Sequence, residues 1–433
     1  MTHLIVKKSD TLNGKLKVPS SKSQSIRGLF LALLSQGEST LNNILDSEDT
    51  EDAIRACKAL GAKISIHEDT LIFKSNGLPL STQSTEINTG NSGITTRFVM
   101  PLLGLRDNTD QPIILDCGKQ MRARPIQSLV NSLRSLGLCI EYLNIEGQLP
   151  VRISGKLLGG ISEIDGISSQ YLSALLIALP FAENESEIMV KNLQARPYIN
   201  LTLNWLDKQN ISYIHQQLNE CEFYKIKGRQ KYKNFHATIS GDFSSASYLI
   251  AAAVLTEGHV ELTGLDMKDS QGDKRLIQIL LEMGAKIETK TKSLIIQGGK
   301  TLNGLRIDAN DIPDLLPTLA VIGTYAKGKT EIINVKQARL KETDRIHSMT
   351  EGLSRLGAHV DEHEDGMTIY ESSLKGTEVK GYSDHRTVMA LAIAGLVAKG
   401  TTIIDDADAI HKTFPKFVDY MNSIGAHMES LRA

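Results

Sequence analysis

"GTYAKGKT" runs from Gly323 to Thr330. A glycine, four residues and then Gly-Lys-Thr fits a phosphate loop, but such a loop leaves a strand and opens a helix. Here the flanks run the other way. "DLLPTLAVIGTYAKG" (Asp314–Gly328) spaces its apolar residues like a helix, and "KTEIINV" (Lys329–Val335) alternates like a strand. The stretch therefore predicts a helix-to-strand turn with Gly328 at its left-handed position, and not an ATP site.

The same unit recurs. "LALLSQGESTLNNI" turns at Gly37, "AAAVLTEGHVELTG" at Gly258 and "AIAGLVAKGTTIID" at Gly400. A second recurring unit reads "ALGAKISIH", "SLGLCIEYL", "EMGAKIETK", "RLGAHVDEH" and "SIGAHMES". Self-similarity at a spacing of about 70 residues signals a repeated supersecondary element. It predicts six α/β units, three per half. The stretch "NFHATISGDFSSASYLIAAA" restarts the pattern of "LKVPSSKSQSIRGLFLALL", which divides the chain near residue 239. The expected lobes are residues 20–238 and residues 1–19 with 239–433, with the active site in the cleft between them.

Bulk properties narrow the function. The chain has 433 residues, 41% hydrophobic and 23% charged, with a net charge of −2. No global basic field points to nucleic acid, and no apolar run is long enough to span a membrane. Cys57, Cys117, Cys139 and Cys221 lack metal or disulfide spacing, and the N-terminus lacks a signal-peptide core. The expectation is a cytoplasmic protein, a monomer, with small-molecule substrates.

Charged and hydroxyl residues gather at strand-to-helix entries in both halves. "PSSKSQSIR" sets Lys22, Ser23 and Arg27 at a helix start, where free N–H groups favour an anion. "NTGNSGITTRFVM" offers Gly93 for close backbone approach. "GKQMRARPI" carries Arg122 and Arg124, and "DGISSQYLSALL" carries Ser168, Ser169 and Gln170. "NDIPDLLPTLA" puts Asp314 after Pro313, where it reads as an N-cap or an acid. "ARLKETDRIHSM" holds Lys341, Glu342 and Arg345, with Lys341 and Arg345 on one helical face at i, i+4. "YSDHRTVMALAIAGL" places Asp384, His385 and Arg386 at another entry, and "HKTFPKF" supplies Lys412. Cations from two lobes converging with two acids suit polyanionic substrates and proton transfer.

These residues resemble the EPSP synthase family, the 3-phosphoshikimate 1-carboxyvinyltransferases, over essentially the whole chain. The elements carrying the resemblance include "PSSKSQSIR", "GNSGITTR", "RARPI", "DGISSQYLSALL", "RPYI", "GDFSSASY", "QGD", "IPD", "LKETDRI", "SDHR" and "KTFP". It implies a two-domain inside-out α/β barrel of six βαβαββ-like units. It also implies transfer of the enolpyruvyl group of phosphoenolpyruvate to the 5-hydroxyl of shikimate 3-phosphate, with no metal or organic cofactor. Carried over, the shikimate 3-phosphate residues are Lys22, Ser23, Arg27, Ser168, Ser169, Gln170, Tyr198, Asp314, Gln337 and Lys341. The phosphoenolpyruvate residues are Lys22, Gly93, Arg124, Gln170, Arg345, Arg386 and Lys412. Asp314 is expected to be the base for the hydroxyl, Glu342 to serve the methylene carbon, and Lys22 to stabilise the tetrahedral intermediate. The chain departs from the family's usual pattern at Ala195 (often serine), Gln337 (often asparagine) and Ile94 (often threonine).

Two other readings remain. The sister enolpyruvyl transferase acting on UDP-N-acetylglucosamine normally carries a reactive cysteine near "GKQMRARPI", whereas Cys117 here reads as a buried strand-end residue. A non-catalytic anion-binding protein on the same scaffold would not need both Asp314 and Glu342.

Overall fold

The helix Leu316–Tyr325 passes through Ala326–Gly328 into the strand Lys329–Ile333, and Gly328 takes φ +80°. The glycine therefore reverses the chain out of a helix, as the apolar spacing requires, and no phosphate loop forms. At the corresponding point of another repeat the transition is tighter than the sequence implies. The helix Lys22–Leu34 is followed at once by the strand Ser35–Asn42, so Gly37 (φ +107°) lies inside the strand and not in a loop before it. The computed structural model describes residues 2–219 and 221–432.

Each repeat makes one small sheet. A first strand and a second, joined through a helix, lie parallel. A second helix follows, and then a hairpin whose later strand pairs antiparallel with the second strand. Arg306–Asp308, Lys329–Ile333, Gly366–Tyr370 and Val360–His363 show this order across one sheet. Glu86–Asn88, Ile113–Asp116, Val151–Gly155 and Leu138–Tyr142 repeat it. Six sheets form among the described residues, three from a continuous stretch in this order and three completed by a strand from elsewhere in the chain.

The chain separates into two compact units, Lys22–Ile239 and Met1–Ser21 with Ser240–Ala433. In the second, the N-terminal chain completes two sheets. Thr2–Lys7 lies between Thr401–Ile404 and His427–Arg432, and Thr11–Lys17 pairs parallel with Glu257–Thr263.

Within each unit three helices are apolar on every side and sit inside their sheets. In the unit of residues 240–433 they are Phe243–Leu255, Leu316–Tyr325 and His385–Val397, which pack against one another. A helix with no polar face is stable only when covered all round. Leu249, Leu319 and Leu391 are each at most 1% exposed, and full burial of such a side chain stabilises by roughly 2 kcal/mol. The corresponding helices of the other unit include Lys22–Leu34, Gly93–Leu102 and Ser169–Ala178. Helices such as Gln127–Ser135 and Arg275–Met283 bury one face only. The first turns of these central helices hold Lys22, Ser23, Gly93, Ser169, Gln170, His385 and Arg386.

Candidate active site

In the unit containing residues 240–433, three charged segments meet. Asp314 lies in the short turn Pro313–Leu315 that leads into Leu316–Tyr325. It does not cap that helix. Its carboxylate accepts hydrogen bonds from Arg345 Nη1 at 3.0 Å and Arg386 Nη2 at 2.9 Å, and Lys341 Nζ lies 3.5 Å away. Arg345 opens the helix Arg345–Arg355 and is 1% exposed. Its Nη2 donates to Glu342 Oε2 at 2.7 Å, and its Nε donates to Asp384 Oδ2 at 2.8 Å.

Burial alone would make Arg345 easier to deprotonate. The charges of Asp384, Glu342 and Asp314 outweigh it and hold the guanidinium above its usual range. Asp384 is fully buried, and its side chain also caps the helix His385–Val397 by accepting from the Arg386 amide at 2.8 Å. One carboxylate thus fixes two arginines.

The expected i, i+4 stacking of Lys341 and Arg345 does not form. The helix starts only at Arg345, while Lys341 is extended (ψ −153°) at the end of the turn Lys336–Leu340. Both cations instead reach Asp314. Arg339 steadies this loop, donating from Nη1 to Asp344 at 2.6 Å and to Glu362 at 2.8 Å. Gln337 is buried and donates from Nε2 to the Asn310 carbonyl at 2.8 Å. Lys412 is 7% exposed at the end of the turn Ala407–Lys412.

In the unit Lys22–Ile239, Lys22 is the first residue of its helix and pairs with Asp49 Oδ2 at 3.1 Å. Ser23, Ser168, Ser169, Gln170 and Tyr198 are all half-buried. Ser168 occupies the N-cap position of Ser169–Ala178, but its hydroxyl makes no capping bond. Arg27 is 1% exposed. It donates to Thr202 Oγ1 at 2.9 Å, to Ser173 Oγ at 3.2 Å and to the carbonyls of Ser23 (3.1 Å) and Tyr198 (2.9 Å). Burial lowers this guanidinium to about 10. Four hydrogen bonds to protein make Arg27 a tie between the helix that carries Lys22 and the helix that carries Tyr198.

Gly93 begins the helix Gly93–Leu102. A Cβ there would lie 2.5 Å from Arg124 Nη1 and 3.0 Å from Arg97 Nη1, so the absent side chain is space that guanidinium groups fill. Arg97, 2% exposed, donates to Gln170 Oε1 at 2.5 Å and to the Pro125 carbonyl at 3.2 Å. Arg122, by contrast, is turned away to Asp116. Ala195 caps the helix Arg196–Lys208 at φ +52°, a left-handed conformation that costs a non-glycine residue about 1 kcal/mol. Ile94 is 4% exposed.

Cys117 is buried, and burial, with the charge of Asp116 next, pushes its thiol up to about 12. A thiol held so far from ionisation is a poor nucleophile. Among the described residues no group of three His, Cys, Asp or Glu side chains is placed to hold a metal ion, and no helix is long and apolar enough to cross a membrane.

The sequence does not single out Asp49 or Arg97, and it marks Asp384 only as a charge at a helix entry, with no partner assigned. Each acts through a partner from a distant segment. The only local signal is that Asp384 stands beside Arg386 and Arg97 ends "GNSGITTR".

The family model for EPSP synthase (3-phosphoshikimate 1-carboxyvinyltransferase) matches residues 6–421. The 3-phosphoshikimate 1-carboxyvinyltransferase of Acetivibrio thermocellus is 43% identical over 427 residues, covering 99% of both chains. That of Methanocaldococcus jannaschii is 40% identical over 430 residues, covering 98% of this chain and 99% of its own. Among solved structures, an EPSP synthase from Acinetobacter baumannii superposes with a TM-score of 0.83 at 23% identity over the whole of both chains. The enolpyruvyl transferase NikO from Streptomyces tendae gives 0.79 at 16% identity, covering 100% of this chain and 99% of its own. These two likenesses show the fold.

Proposed function

Because the chain belongs to the EPSP synthase family, matched from residue 6 to residue 421, we propose that the two clusters above act on one pair of substrates. The activity is that of a 3-phosphoshikimate 1-carboxyvinyltransferase. It moves the enolpyruvyl group of phosphoenolpyruvate onto the 5-hydroxyl of shikimate 3-phosphate and releases phosphate. Lys22, Ser23, Ser168, Ser169, Gln170, Tyr198, Gln337 and Lys341 bind shikimate 3-phosphate, with Arg27 tying together the helices that carry Lys22, Gln170 and Tyr198. Arg345 and Arg386 take the carboxylate of phosphoenolpyruvate, since planar guanidinium matches a carboxylate in two bonds. Lys22, Arg124, Lys412 and the backbone at Gly93 take its phosphoryl group.

Addition requires a proton on the methylene carbon and removal of one from the attacking hydroxyl. Asp314 is the base for the hydroxyl, and Glu342 delivers the proton to carbon. In the elimination that follows, a proton leaves the new methyl group as phosphate departs. Lys22 stabilises the charged tetrahedral intermediate.

The observation that carries this reading is the grouping of Asp314 and Glu342 on one buried arginine, with Arg386 and Lys341 on the same Asp314 carboxylate. A plain anion-binding protein gains nothing from acids that compete with its ligand for cations. The test is phosphate release from phosphoenolpyruvate with shikimate 3-phosphate or with UDP-N-acetylglucosamine as acceptor. Release with the first alone is expected. Release only with the second, or binding by calorimetry without turnover, overturns the reading.

A further inference from the structure

Asp273 belongs to "QGD", a stretch to which the reaction above gives no role. It lies in the short turn Gly272–Lys274 and is 3% exposed. The Ser244 hydroxyl donates to its Oδ2. Its Oδ1 is buried and has no hydrogen-bond partner. Among the described residues it makes no ion pair, unlike Asp314 and Asp384, which the arginines neutralise. An ionised carboxylate with so little compensation is costly to bury, and a proton relieves the cost.

The turn packs on the helix Phe243–Leu255, as does the turn that carries Asp314. From the surrounding elements, the charges of Asp314, Arg386 and Asp242 reach the Asp273 carboxyl. The neighbouring cations on its own side are engaged elsewhere. Lys274 donates to the Asp269 carbonyl at 2.6 Å, and Arg275 donates to the Asp308 carbonyl at 3.0 Å. Burial, and after it the charge of Asp314, pushes the Asp273 carboxyl up to about 7, against the pull of Arg386.

We propose that Asp273 is a positioning residue that stays neutral while the Asp314–Arg386 pair receives substrate, and that its ionisation weakens the hold of Arg386 on phosphoenolpyruvate. The inference rests on the roles given above to Asp314 and Arg386. Below neutrality the protonated carboxyl leaves the positive charge of Arg386 undiminished. Above it, a second buried negative charge joins Asp314, and an incoming anion meets a weaker field. The effect falls on binding, so KM for phosphoenolpyruvate moves more than kcat.

The experiment compares the pH profiles of KM and kcat for the wild type and Asp273→Asn on either side of pH 7. The carboxamide keeps an acceptor for Ser244 and cannot ionise. The wild type is expected to show KM rising above pH 7 by roughly tenfold, the scale of one unit of charge coupling. The variant is expected to lack that rise and to match the wild-type KM below pH 7. Superimposable profiles, or an equal loss of activity at every pH, overturn the proposal. If the variant does not fold, the carboxyl 13C resonance of Asp273 in the wild type decides instead. Titration near 7 supports the proposal, and titration in the ordinary carboxylate range ends it. Failure of the parent reading is separable, because Arg386→Ala would then leave KM for phosphoenolpyruvate unchanged while the Asp273 resonance still titrated near 7.

Discussion

At the scale of single residues, Arg345 joins the chemistry to the fold. Its guanidinium meets Asp314, Glu342 and the fully buried Asp384. Removing one partner of a buried ion pair leaves the other charge uncompensated, which costs about 3–5 kcal/mol. Arg345→Ala should therefore lower stability by that amount in urea unfolding, besides abolishing turnover. A surface arginine such as Arg152, paired with Glu141 while both are well exposed, should cost under about 1 kcal/mol. Gly93 gives a different result. A methyl group at this position would come within 2.5 Å of Arg124 and force the guanidinium aside. Gly93→Ala should raise KM for phosphoenolpyruvate about tenfold, equivalent to roughly 1.4 kcal/mol, with a much smaller change in kcat. Steady-state kinetics would show the split, and equal changes in both constants would count against Gly93 as a binding position.

At the scale of elements, the first turns of helices gather the polar groups, and the start of Glu48–Ala59 shows a consequence for pH. Asp49 and Asp52 both face inward there, Asp49 toward Lys22 and Asp52 against Gly90. Burial, then the charges of Asp49 and Glu48, raise the Asp52 carboxyl from 3.8 to about 6 against the pull of Arg55. The folded state thus binds a proton in this window that the unfolded state has already released. Stability associated with Asp52 is present below pH 3.8 and is lost as pH rises to about 6. Asp52→Asn should flatten this part of the stability curve in thermal unfolding, and an unchanged slope would disprove the assignment. The elements themselves were legible, because a long apolar helix must be covered all round and a glycine marks the change from helix to strand, whether before the strand as at Gly328 or just inside it as at Gly37. The start of the helix at Arg345 was not. The run "KETDR" (Lys341–Arg345) is uniformly polar, so spacing could not show that Asp344 caps the helix and leaves Lys341 outside it.

At the scale of the whole molecule, sixfold repetition made the architecture readable, although of the four matching glycines Gly328 and Gly400 sit between helix and strand while Gly37 and Gly258 lie inside their strands. The acids and cations of the candidate site were visible as residues at helix starts. Their pairings were not, because Asp49 with Lys22, Asp384 with Arg345 and Arg97 with Gln170 join distant segments and leave no period in the sequence. Nothing local in "QGD" marks Asp273; its burial without an ion-pair partner among the described residues is what sets it apart. In the proposed mechanism Glu342, held by Arg345, moves a proton to and from the methylene carbon while the arginines only bind. Deuterium entry at that carbon of phosphoenolpyruvate, followed in heavy water with shikimate 3-phosphate present, measures this step. The wild type should exchange, and Glu342→Gln should exchange about 100-fold or more slowly with phosphoenolpyruvate affinity nearly intact. Exchange by the variant at the wild-type rate would contradict the claim.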